Sequence, residues 1–413
     1  MRILLPTRYL YQLLFAICVV VPILNIYELT FVVWITAILL TLTLKFSISI
    51  LKLIVPFLLI IVIALFSSSF DKFSLYGYVK DITYMLKPAL GLILGYQLFK
   101  YQSPDRVFKT IIYTGIAIAI IHLLLVVNTF ISGKASSLAR LRQYCGYFND
   151  FEIYALILLI FHEKFEVHFT KNNFRLYVLI LVISSFFYFA RTNFIQFIIL
   201  YIALKGYFKI NTKSIIVLTS VVMLVGIGYA IIYNLNPRRN GSGTEQFLYK
   251  IKIAPIEPFK TKIDITNWKD LNDNYRSFEN VLTIQQVSDA GTQAVIFGKG
   301  MGSSVDLKQK IWLQSSDMRY IPFLHNSYMT VFLKSGLTGV FLLLYTIYFL
   351  LTIKSSKIPI VNNINLMLVG TGFFLIVSSW VFLGLYNTSD NKALLIGLLI
   401  GFTEYKKQTY KNG

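Results

Sequence analysis

Apolar and polar positions fall into two unequal arrangements along this chain. Apolar runs of about 17 to 25 residues, joined by short polar links, fill the first 235 residues and return from about 330 to the end. Runs of that length predict helices that cross a bilayer. Twelve are expected, over 6–25, 28–46, 48–67, 82–99, 108–131, 148–163, 174–190, 192–208, 213–235, 330–353, 363–385 and 390–404. Between 236 and 329 the pattern turns polar. It opens with NPRRNGSGTEQ, passes through APIEPFK and ends in TNWKDLNDNYRSFENVLTIQQVSDA. In that last piece Tyr275, Phe278, Val281, Leu282, Ile284 and Val287 recur at helical spacing, with Asn272, Asp273 or Asn274 placed to cap them. Two or three amphipathic helices are expected there.

The expected architecture is an all-α polytopic membrane protein in three parts. Spans one to nine occupy 1–235, a long outer loop with the catalytic region occupies 236–329, and spans ten to twelve with a tail occupy 330–413. The first run lacks a small-residue cleavage site and is followed by further spans, so it reads as a span rather than a removed leader.

Composition supports the membrane reading and removes one rival. The chain is 56% hydrophobic, beyond what a soluble protein with so many long apolar runs would carry. Its net charge of +20 suits nucleic acid in principle. A large share of the Lys and Arg instead falls where cytoplasmic loops collect positive charge. With the N-terminus inside, those loops gather Arg2 and Arg8, then Lys45 and Lys52, then Lys100, Arg106 and Lys109; later ones hold Lys164, Lys171, Arg175, Lys205, Lys209, Lys213, Lys354 and Lys357. No nucleic-acid partner is expected, both termini are placed in the cytoplasm, and the membrane lipids are the expected surroundings. Cys18 and Cys145 are far apart and imply neither a disulfide framework nor a metal site.

The arginines that break this pattern carry the chemistry. Arg140 and Arg142 fall in an outer loop, Arg191 sits where one span turns into the next, and Arg238, Arg239, Arg276 and Arg319 lie in the long loop. Any one of them can snorkel to a headgroup or pair with a carboxylate. As a set they suit a diphosphate, because planar guanidinium groups bind phosphate oxygens in pairs. A lipid-linked diphosphate at the outer surface needs such a cluster. Four histidines are present, and His325 in the long loop is the candidate base. Transfer of a sugar from a diphosphate needs the acceptor hydroxyl deprotonated, and a neutral imidazole suits that. No metal is required if arginines cover the leaving charge, so no cofactor is expected. The competing reading makes His325 a structural residue ahead of a helix capped by Asn326 or Ser327.

The remaining candidates are supports. A single helix through 325–336 would place His325 and Gly336 on one face, three turns apart. Gly336 and Gly339 suit close helix packing. Gly298, Gly300 and Gly302 lack phosphate-loop spacing and read as a flexible turn aiming two flanking helices. His122 reads as structural. Lys87 either snorkels or reaches the site, and Asp150 and Glu152 are expected to orient Arg140 or Arg142 or to pair with His325.

On these residues the chain resembles the bacterial O-antigen polymerase and O-antigen ligase superfamily, membrane glycosyltransferases of the GT-C type. His325-Asn326, nine residues, then Gly336-Leu337-Thr338-Gly339 matches the family's histidine signature. Tyr275-Arg276 through FGKGMG is similar to its arginine-helix segment, Ala190-Arg191-Thr192 to its Ser-Arg-Thr turn, and RQYCGYFND to a segment that opens a span. Two positions depart: Ala190 stands where the family has Ser, and the Arg-x10-Gly spacing from Arg276 lands on Val287. The resemblance implies that His325 activates the acceptor hydroxyl while Arg276 and Arg191 bind undecaprenyl diphosphate; the charge pattern adds Arg142, Arg140 and Arg319 to the diphosphate site. The resemblance also implies glycan transfer from a lipid-linked donor at the outer face of a bacterial inner membrane, with a flippase and a chain-length regulator as partners; the divergent long loop and aromatic-rich composition favour polymerisation of lipid-linked repeats. Ligation of the glycan to lipid A–core is the near alternative. A lipid-linked sugar transporter is the alternative of another class, against which stands the gathering of ionisable residues, His122 and Lys87 apart, at span ends and outside.

Overall fold

The computed structural model describes residues 7–43, 45–68, 75–135, 137–146, 149–208, 211–241, 243–313 and 316–412. Arg2, Phe148 and Lys209, used above, lie outside the described residues. Each of the twelve expected runs carries a helix. The first nine are α1 (Thr7–Val20, extended by a 3-10 turn), α2 (Tyr27–Leu40), α3 (Ile48–Ser68), α4 (Leu75–Tyr101) and α5 (Val107–Ile131), then, after the short surface helix α6 (Leu138–Cys145), α7 (Asp150–Ile160), α8 (Lys171–Phe187), α9 (Arg191–Leu204) and α10 (Thr212–Leu235). The polar segment supplies α11 (Gly243–Ile253), α12 (Trp268–Asp273), α13 (Tyr275–Asp289) and α14 (Thr292–Phe297), then the strands β1 (Val305–Leu313) and β2 (Ser316–Ile321). The last three runs are α15 (Ser327–Leu351), α16 (Pro359–Val381) and α17 (Lys392–Asn412).

Five of these helices, α3, α5, α10, α15 and α16, are long and apolar enough to cross a membrane. The other seven runs are helical but shorter or interrupted by charge. The run expected at 148–163 is an 11-residue helix, about 16 Å long against a hydrocarbon core of about 30 Å. Large apolar side chains such as Val62, Ile121, Leu224 and Phe341 face outward, as on a lipid-covered surface.

The core of the helical body is the pairing of α4 with α17. A Cβ at Gly95 would meet the Leu394 carbonyl oxygen at 1.9 Å, and one at Gly397 would meet that of Leu92 at 2.2 Å. Glycine there lets the two backbones touch, the usual way helices associate where solvent gives no hydrophobic drive. The amphipathic α13 behaves as its spacing predicts, except at Ile284, which is exposed. Phe278, Leu282 and Val287 are buried in a second small core with Leu271, Leu307, Ile311 and Leu333. Asn274 stands at its N-terminus without a capping bond, whereas Asn267 caps α12 through its side chain.

One element of the outer segment departs from the expected helices: β1 and β2 form an antiparallel hairpin. Alternation in VDLKQKIWL is broken by Lys308 at φ 65°, and the register shifts between Asp306 and Ile311. A bulge of this kind hides a strand from a period-two search.

Candidate active site

His325 does not lie on a helix. Asn326 is the N-cap of α15, its Oδ1 accepting from the Tyr328 and Met329 amides at 2.9 and 3.3 Å, so the imidazole stands just ahead of the first turn. The backbone turns out of the helix again at Gly336, at φ 64° and ψ −162°. The single helix expected through 325–336 is therefore replaced by a short helical piece bounded by the cap and the break.

The glycine-rich loop explains the break. It is no flexible turn between helices. Lys299 and Gly300 donate backbone N–H bonds to the Leu333 and Lys334 carbonyls at 2.8 and 3.1 Å, and Met301 donates to the Ala64 carbonyl at 3.2 Å. The loop thus supplies donors to carbonyls that the break in α15 leaves open. Gly300 has φ 83°, and a Cβ there would fall 2.4 Å from the Ser68 amide nitrogen; one at Gly336 would fall 2.4 Å from the Ile296 carbonyl. Positive φ and close approach together demand glycine at both. At Gly339 the nearest atoms to a Cβ belong to Ser335 and Val331 of α15 itself, with Ser335 Oγ at 1.8 Å, so the closeness there is within α15 rather than between helices. Behind the loop, buried Lys334 of α15 bonds Asp81 of α4 and the Ser303 carbonyl, while Asp81 accepts from the Gly302 amide at 2.6 Å.

Glu279 holds His325 from α13. Its carboxylate accepts from Nδ1 at 3.0 and 3.1 Å and from the His325 amide at 3.0 Å. Because a carboxylate can only accept when ionised, Nδ1 carries the hydrogen, leaving Nε2 for a substrate proton. The Glu279 side chain is 2% exposed and the His325 side chain 46%, so a buried anchor carries a reachable ring. Desolvation pulls the His325 pKa down, but the charge and hydrogen bond of Glu279 outweigh it and raise the value above that of a free histidine. Tyr275 stands edge-on to the ring, centroids 5.7 Å apart, and the His325 carbonyl accepts from the Leu383 amide at 3.1 Å.

One of the expected arginines, Arg276, acts on this pair directly, and Arg191 lies within electrostatic reach of Arg276 and Arg142. Arg276 is on α13 beside Tyr275, with Nη1 3.6 Å from Glu257. Arg191 opens α9 and donates from Nη1 to the Lys250 carbonyl at 2.6 Å. Arg276, Glu257 and Arg142 all act on Arg191 electrostatically, and Arg276 and Glu257 act on His325. Arg140 and Arg142 are two residues apart on α6, which turns them to different faces of that helix. Arg140 is exposed. Arg319 does not join the group. It forks onto Asp306 across the hairpin at 2.8 and 2.9 Å, and this pairing lowers the Asp306 pKa to about 2.

The acidic residues expected near the site have other partners. Asp150 bonds buried Lys392, which also pairs with Asp390. Glu152 accepts from Ser184 and Tyr188 at 2.5 and 2.8 Å, and His122 bonds Ser184 while stacking on Tyr188, a structural position as expected. Lys87 neither snorkels nor reaches the site: it is buried, donating to the Asn387 and Asp390 carbonyls. Ionisable side chains are therefore buried within the helical body, and the expectation that they gather at span ends and outside is corrected. Glu279 escaped the sequence reading although its signal was present, one turn after Tyr275 and Arg276 on the same helix face. Among the described residues no three His, Cys, Asp or Glu side chains stand together as a metal site needs. No protein-family model matches this chain, and no curated protein matches it.

Proposed function

We propose that this protein is a membrane glycosyltransferase that polymerises a glycan carried on undecaprenyl diphosphate. The observation that carries the reading is the His325–Glu279 pair within electrostatic reach of Arg276, which is in turn within reach of Arg191. Nε2 of His325 removes the proton of an acceptor hydroxyl on a second lipid-linked repeat. The hydroxyl oxygen forms a bond to the anomeric carbon as the bond to diphosphate breaks, and the electron pair leaves with the diphosphate. Arg276, Arg191 and Arg142 balance that charge. One displacement inverts the anomeric configuration. The site faces the outer side of a bacterial inner membrane, with both termini in the cytoplasm, and a flippase and a chain-length regulator act before and beside it.

Cells lacking the protein, complemented with wild type or His325→Ala, test this through their surface-glycan ladder and lipid-linked glycan pool. A general base contributes about 10² to 10⁴ in rate, so the variant is expected to leave one repeat on core and no ladder. Bare core with accumulated lipid-linked polymer in the deletion strain identifies a ligase instead. A full ladder from His325→Ala defeats the catalytic role of the histidine.

The buried Lys87, Asp150, Asp390 and Lys392 favour a second reading, a transporter, since intramembrane charges often mark transport paths. Here each lysine already bonds buried partners, which suits a fixed scaffold better than a path. Flipping of a fluorescent lipid-linked sugar in vesicles, retained by His325→Ala, would support the transporter.

A further inference from the structure

Beside the site, in the outer segment, lies an open basin of about 420 Å³, within the range of small-ligand pockets. It is set between α11, the chain leading to α12, and α12 itself. Its walls continue into the site at three points. Tyr249 lines the basin, and the next residue, Lys250, gives its carbonyl to Arg191. Ile256 lines it, and Glu257 faces Arg276. Asn274 lines it, and Tyr275 stands against His325. The basin and the site thus share three stretches of chain.

The lining selects a ligand class. Ile253 and Ile256 give an apolar floor with Tyr249 beside it, and Asn267 and Asn274 border it. Asn274 Nδ2 is already spent on Asp270 and Asn267 Oδ1 on the first amides of α12, so the Asn267 NH2 group is the amide left for a ligand. An apolar face with that donor beside it fits a sugar ring, whose C–H face packs while a hydroxyl accepts. The charges are unequal. Asp273 already takes Arg239, Lys250 and the Tyr249 hydroxyl. Asp270 already takes Lys260, the Asp264 amide and Asn274. Both carboxylates are thus saturated by donors of the protein itself. Lys269 lines the basin, is exposed, and has no carboxylate partner among the described residues. The charge left for a ligand is positive.

We propose that this basin binds an acidic saccharide, a stretch of the acceptor glycan carrying a carboxylate sugar, and so presents the adjoining hydroxyl to His325. The role as acceptor rests on the glycosyltransferase reading; the binding does not. The test uses the full chain in lipid nanodiscs and ligand-observed NMR with two probes of equal length, a hyaluronan tetrasaccharide bearing glucuronate and neutral chitotetraose. Wild type is expected to bind the acidic probe at least tenfold more tightly, with the preference fading in salt. Lys269→Glu and the milder Lys269→Gln are expected to remove that preference, and His325→Ala to keep it. Equal binding of both probes, or of neither, overturns the proposal. A preference unchanged in both Lys269 variants overturns it as well. If the acidic probe binds while His325→Ala still builds a full ladder, the basin stands and the catalytic reading falls; a lost ladder with no probe bound has the opposite meaning.

Discussion

At the scale of single residues, the chemistry proposed above depends on what Glu279 does to His325. A base works only when neutral, so the raised pKa places the acid limb of activity above where a free imidazole would put it. Glu279→Gln keeps a hydrogen-bond acceptor and removes the charge. Its acid limb is expected to move to lower pH while the plateau falls, because the ring is less basic and less firmly held. A pH–rate profile on lipid-linked substrate checks this, and an unmoved limb refutes the assigned role. Stability follows the same linkage: the pair's contribution is complete below the ordinary histidine value of about 6.5 and is lost as pH rises through the higher folded value. Glu279 was legible only as a residue one helical turn from Arg276. Arg319, by contrast, resembles the other outer arginines in sequence. Only the hairpin brings Asp306 across to it, and that pairing depends on a bulge the hydrophobic pattern does not announce.

At the scale of elements, the apolar runs were legible because each must bury or face lipid along its whole length. The helix α13 was legible because its buried residues repeat at the helical period. What was not legible is how α15 is broken. A glycine after a histidine reads equally as packing or as hinge until Ile296 is seen 2.4 Å from the missing Cβ. Gly336→Ala is expected to destabilise the protein by about 1–3 kcal/mol from positive φ alone, and by more from the clash. Gly339→Ala meets Ser335 Oγ, which can turn away, and Ser335 Cβ at 2.7 Å, which cannot without a small backbone shift; lacking the positive-φ cost, it is expected to cost less. Thermal unfolding in nanodiscs ranks the two, and equal losses would remove the break as the explanation. A second prediction concerns the outer segment. Burial raises the Asp273 pKa, but Lys250, Tyr249 and Arg239 together hold it below the usual carboxylate range. Its contribution is therefore present above the ordinary value of about 3.9 and is lost as pH falls through the folded one. Amide protection factors in α11 and α12, taken relative to the intrinsic exchange rate at each pH, are expected to fall on acidification, and to be already lower at neutral pH in Asp273→Asn.

At the scale of the whole molecule, the buried ion pairs join elements that the chain keeps far apart. Lys334 and Asp81 are 253 residues apart, and one sequence offers no way to match them. Together with the Gly302 amide they fix α4, α15 and the glycine loop to one another. Lys334→Met leaves a buried carboxylate without its cation and is expected to cost about 3–5 kcal/mol, whereas Lys334→Met with Asp81→Leu is expected to recover much of that loss. Yield and melting temperature across the double-mutant cycle decide it; additive losses would mean that the two side chains act independently.

In mechanical terms the break at Gly336 is a joint. The turns of α15 that lead from His325 down to Lys334 are fastened to the glycine loop, and through it to α3 and α4. The long remainder of α15 is the part exposed to a bilayer. Strain that bends or tilts this remainder has a place to end before it reaches the imidazole, so the histidine keeps its aim while the membrane around the helix changes thickness or curvature.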